Sequence, residues 1–248
     1  MLSRRLLRIK VIKALYAHLK SDADSMIASE KSLLASIDKA YDLYFQMLAL
    51  PAELVRYGEQ RIELNRRKKL PTHEDLNPNT KFVDNAVIRV LANSDSVNDR
   101  LAARKLGWAQ QPDLIRTLYM QLTDSDYYRD YMAREERSFA DDRKLVEDFF
   151  KEMQDNDALD TALEEMSILW DGDLGYIIAM VLRTLSNLRP SHLEAKVLPQ
   201  FKSDDDLDFV KTLFEKSLVN YADNQRYIEK FTRNWDVERI VFMDNLII

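Results

Sequence analysis

Cysteine is absent from this 248-residue sequence, and glycine (four) and proline (six) are scarce. Without a thiol there is no disulfide, no thiol nucleophile and no thiolate-bound metal, a usage that suits a reducing compartment. Average proteins carry about 7% glycine and about 5% proline, so this chain has little of the punctuation that hairpins and sheets require. Long hydrophobic runs are missing as well. Leu174 to Leu188 is the most apolar stretch, and Arg183 interrupts it short of the ~20 residues that span a bilayer. The basic start MLSRRLLRIKVIK is not followed by an apolar run ending in small residues, so it does not read as a signal peptide. The expectation is an all-α helical bundle in the cytoplasm, with no membrane partner.

Catalytic patterns are missing too. The three histidines, His18, His73 and His192, stand alone in their segments, and no HExxH, GxSxG, GxGxxG or phosphate-binding loop occurs. Glu135-Glu136, Asp141-Asp142 and Glu164-Glu165 are neighbours in sequence, so on a helix their side chains diverge and read as solvated faces. The loop Asp171-Gly172-Asp173-Leu174-Gly175 lacks the alternating oxygen ligands of a calcium loop and reads as a tight turn. Neither an enzyme nor a cofactor or metal site is expected.

What the chain does have is 46% apolar residues, enough for a core, and a segregated charge. Residues 1–70 hold 14 Lys and Arg against 8 Asp and Glu, a net of +6, whereas the remainder holds 22 against 34, a net of −12. Such segregation is compatible with a polyanionic partner and equally with solvated helix faces of uneven sign.

Residues 3–20 have the period of one helix, with Leu7, Val11, Ala14 and Leu15 on one face. Arg5, Lys13 and Lys20 fall on the opposite arc with Lys10 beside it, and Arg4 and Arg8 lie one turn apart. A second helical region runs from Ser25 to about Arg66, broken or kinked at Pro51, and closes on the basic run Arg66 to Lys69. Three short helices are expected over residues 81–133, with the tyrosine-rich stretch around Tyr127, Tyr128 and Tyr131 forming an exposed connection or helix. Helices at LVEDFFKEM, ALDTALEEMSILW and GYIIAMVLRTLSNL follow, then a linker, RPSHLEAKVLPQFKS.

Ser203 and Asp206 have the spacing of an acidic capping box. It opens a helix with a buried stripe of Leu207, Val210, Phe214, Leu218 and Tyr221, expected to run through Phe231 to an Asn234-Trp235-Asp236 turn. Asn234 and Asp236 would cap a last apolar helix carrying Glu238 and Arg239 in its first turn and Ile240, Phe242, Met243, Leu246 and Ile247 on its surface.

Two stretches together resemble the transcription antitermination factor NusB family. SRRLLRIKVIKALYAHL at residues 3–19 is similar to that family's arginine-led first helix, ending in Ala14-Leu15-Tyr16. DFVKTLFEKSLVNYADNQRYIEKFTRNWDVERIVFMDNLII at residues 208–248 resembles its long third helix, Asn-Trp turn and the opening of its fourth. Residues 1–20 and 204–248 then form the NusB-like part, and residues 21–203 a helical insertion like that of enlarged family members.

The resemblance implies a fold of two bundles, no enzymatic activity, and binding of single-stranded boxA-type RNA within a transcription elongation complex. The implied protein partner is the small-subunit ribosomal protein that doubles as NusE. Carried over by position, Arg4, Arg5 and Arg8 approach RNA, Tyr16 is the family's tyrosine, and Asp244 faces the ribosomal protein; Lys10 and Lys13 join them from the helical arc. Family members continue past the position of Ile248, so the second bundle is expected to be incomplete, with a homodimer as one way to cover Ile240, Met243 and Ile247. The competing reading is a helical protein-interaction scaffold that does not bind RNA.

Overall fold

The computed structural model describes residues 1–21, 25–231 and 241–248, and among them the regular structure is helical, with no strand. In chain order the helices are α1 (Arg4–Lys20), α2 (Met26–Arg66), α3 (His73–Leu76), α4 (Ala86–Ala92), α5 (Asp95–Arg104) and α6 (Pro112–Asp124). They continue with α7 (Asp126–Ala133), α8 (Phe139–Glu152), α9 (Asp157–Met166), α10 (Leu174–Asn187), α11 (Asp204–Val219), α12 (Tyr221–Phe231) and α13 (Phe242–Ile247). The chain divides into two units, Met1–Lys39 with Pro199–Ile248, and Ala40–Leu198. The expected turn at Asn234, Trp235 and Asp236, with Glu238, Arg239 and Ile240, lies outside the described residues.

The first unit extends beyond residues 1–20 and 204–248, because it takes in the start of α2. His18 Nδ1 lies 2.8 Å from Ser29 Oγ and Lys211 Nζ 3.7 Å from Glu30 Oε1, which ties residues 29 and 30 to α1 and α11. α1 begins where Ser3 Oγ accepts the Leu6 N–H, satisfying one of the donors a helix start leaves open. Its Leu6, Leu7, Val11 and Leu15 are buried, and it packs on α11 and α13.

Two local expectations for α11 are corrected. Ser203 makes no side-chain cap; Asp206 instead accepts the Lys202 N–H at 3.0 Å and the Arg4 Nε–H at 2.9 Å. The stripe also does not continue as one helix. At Asn220 both the backbone N–H and the side-chain Nδ2 donate to the Lys216 carbonyl, at 3.1 and 2.9 Å, ending α11 before α12 begins. Val210 and Phe214 carry the burial, while Leu207, Leu218 and Tyr221 are only half-buried.

In the second unit, Pro51 does not break α2, which is helical on both sides of it. Proline has no N–H to give the Met47 carbonyl, but Met47, Leu48, Leu50 and Leu54 are all buried, and packing outweighs the lost bond. The buried Gln46 amide reads the backbone of residues 107–108: Nε2 donates to Gly107 O and Oε1 accepts Gly107 N–H, both at 2.7 Å, and Trp108 Nε1 donates to the Gln46 carbonyl. The approach uses Lys105 at φ 54 and Gly107 at φ 143, the latter a conformation open to glycine.

The segment after α10, expected as a linker, is pinned at Ala195 and Leu198. Ser94 Oγ accepts the Ala195 N–H at 2.6 Å, Tyr44 OH accepts the Leu198 N–H at 3.0 Å, and Tyr41 OH donates to the Leu198 carbonyl at 2.8 Å. Burial pushes the Tyr41 phenol up to about 12, so both hydroxyls keep their protons and their hydrogen bonds at neutral pH. Gly172, at φ 71, makes the tight turn before α10.

The acidic pair Asp141-Asp142 is not a solvated face. Asp141 is half-buried and paired with Arg134, while Asp142 is buried; its Oδ2 accepts the Ala86 N–H and its Oδ1 the Tyr131 hydroxyl, both at 2.7 Å. Asn85 completes the start of α4, its Oδ1 accepting the Val87 and Ile88 N–H groups at 3.0 Å while Nδ2 donates to the Asp142 carbonyl. Burial, followed by the Asp142 carboxylate, holds the Tyr131 phenol well above its ordinary value. Tyr131 is therefore a core tyrosine on α7.

Candidate nucleic-acid interface

α1 holds six Lys and Arg and no carboxylate in its 17 residues. The buried stripe points five of them outward: Arg4, Arg5, Arg8, Lys13 and Lys20 are exposed, as is Tyr16. At 3.6 residues per turn, Arg5, Tyr16, Lys20 and Lys13 fall within roughly 80° of the helix circumference, with Arg8 about 60° to one side. Lys10 is a correction: it is 3% exposed and so cannot present its ammonium to a ligand on that face.

The cations differ in how far they are committed. Arg4 donates to Asp206 and lies 5.1 Å from the Phe209 ring centroid, with Arg8 5.4 Å from the same ring. The Arg4 hydrogen bond holds the Asp206 carboxyl below its usual range. Arg5 has no acidic partner among the described residues. A guanidinium in that state keeps its planar fork for phosphate or for stacking on an unpaired base.

Further along α1, Tyr16 is 39% exposed and meets Phe242 of α13 edge-on, with ring centroids 5.5 Å apart. Lys20 Nζ sits 4.2 Å from the Phe242 centroid. α13 thus joins the α1 surface, and Asp244, two residues beyond Phe242, is exposed with no ion pair among the described residues. The structure therefore gathers Arg4 and Arg8 at Phe209, and Tyr16 at Phe242, while Lys10 is turned away.

Phe209 and Phe242 were not singled out as site residues from sequence. Phe209 falls just off the buried stripe, between Asp208 and Val210, and that offset was its only signal. Behind α1 lies a groove of about 310 Å³ between α1, α11, α12 and α13, lined by Arg8 and Leu15 on one side and by Ser217, Asn224, Gln225 and Asn245 among others. No cluster of three metal-ligating side chains occurs among the described residues, and no described helix is long and apolar enough to cross a membrane. Comparison of the chain with protein-family models, curated proteins and solved structures returns no match.

Proposed function

We propose that the first unit is a non-enzymatic RNA-binding module of the NusB type, acting in transcription antitermination on single-stranded boxA-type RNA with the ribosomal protein NusE as partner. The observation that carries this reading is the outward face of α1, a helix of six cations and no carboxylate on which Arg5 and Tyr16 stand exposed. Guanidinium groups pair with phosphates or stack on bases, and an exposed aromatic ring takes an unstacked base, the combination by which single strands are held. Arg5, Arg8 and Lys13 are the phosphate and base contacts, Tyr16 is the stacking ring, and Arg4 orients the helix through Asp206 while its guanidinium edge stays open. Asp244 is the point offered to the ribosomal protein.

Titration of a labelled boxA-like RNA at two salt concentrations, with and without the ribosomal protein, tests the reading. Binding should weaken steeply with salt, and Arg5→Ala should weaken it and lower the salt slope by about one. Salt-insensitive binding, or none, would reject it.

A helical protein-interaction scaffold is the second reading, favoured by the exposed Tyr227, Phe231, Ile247 and Ile248. A protein partner on that apolar surface would bind with little dependence on salt or on Arg5.

A further inference from the structure

The RNA-binding reading leaves the groove behind α1 without a role. We propose that it takes one unstacked nucleobase of the bound strand, and this inference rests on that reading. A base is apolar on two faces and polar along its edge, and it needs walls of the first kind and amides of the second. The groove supplies both, in about 310 Å³, close to the lower limit of small-molecule sites. Val11, Leu15 and Leu213 provide apolar wall, and Asn224, Gln225 and Asn245 provide three carboxamides.

The amides are incompletely used. Asn245 Nδ2 donates to Gln225 Oε1 at 2.7 Å, and the buried Asn245 Oδ1 accepts no hydrogen bond. The carboxamides of Asn224, Gln225 and Asn245 that line the groove offer both donors and acceptors, and a base edge carries the ring N–H, exocyclic amino or carbonyl groups that complement them. Arg8 lines the same groove while belonging to the cationic face, so a strand running along α1 has its phosphate at Arg8 as its base turns inward.

The test compares two labelled RNAs of equal length and phosphate count, one intact and one with abasic ribose throughout, against the full chain and the variants Asn245→Leu and Ser217→Leu. The second variant fills the groove from the opposite wall, so a folding defect peculiar to one variant does not decide the outcome. The intact protein should prefer the base-bearing strand by roughly tenfold. Both variants should bring that preference down severalfold while the salt slope stays unchanged. A preference that both variants leave intact, in a protein whose RNA binding still falls with Arg5→Ala, overturns the groove and spares the RNA reading. No salt-sensitive RNA binding by the intact protein overturns both.

Discussion

The two units spend their polar groups in opposite directions. In the unit Ala40–Leu198, Gln46, Asn85, Asp142 and Tyr44 are buried and turned inward, each holding the backbone of a segment distant in sequence. In the other unit, α1 turns Arg4, Arg5, Arg8, Lys13, Lys20 and Tyr16 to solvent. Charge follows the same division: Ala40–Leu198 holds 21 Lys and Arg against 28 Asp and Glu, whereas the other unit is nearly balanced at 15 against 14. Polar groups that satisfy one another build structure, and polar groups left open at a surface are where binding is to be sought.

The comparison breaks first if the inward network proves dispensable. Asp142→Ala leaves the Ala86 N–H and the Tyr131 hydroxyl without an acceptor in a buried site, and should lower unfolding free energy by about 3 kcal/mol in a denaturant titration. Gln46→Ala frees the Gly107 backbone and should cost about 2 kcal/mol by the same measurement. Neither change should alter RNA affinity, since both lie in the other unit.

The outward unit should respond to smaller structural changes and in a pH-dependent way. Asp206→Asn weakens the hold on Arg4 and the Lys202 N–H, at about 1 kcal/mol after allowing for the solvent screening of a half-exposed arginine. The folded carboxyl lies below its unfolded value, so its stabilisation is present above that value and is lost as pH falls through the folded one. The gap between wild type and Asp206→Asn should therefore hold steady at neutral pH and close in the acid range below about pH 4, as followed by thermal melts.

How much of this was legible beforehand depends on whether a feature is local. The helical class came from scarce glycine and proline, and the exposed arc of α1 from a 3.6-residue period, with Arg5, Lys13 and Lys20 emerging as expected. Lys10 did not, because an angle around one helix does not say which neighbours cover it. Asp142 was hidden for a similar reason, as its donors Ala86 and Tyr131 are brought to it only by the packing of α4 and α7 on α8. Pro51 shows packing overriding propensity, and Asn220 shows the reverse, a single residue ending a helix whose apolar stripe continues. Phe209 and Phe242 became visible only once α11 and α13 were placed against α1. The family-level reading of α1 and residues 208–248 stands as a proposal to be tested by binding.

Photocross-linking of a thiouridine-substituted boxA-like RNA to the full chain, followed by peptide mapping, assigns the contact to one unit or the other. The cross-links should fall on α1, at or beside Tyr16, and should diminish with Arg5→Ala and with added salt. Cross-links confined to residues 40–198 would contradict the assignment of binding to the outward-facing unit.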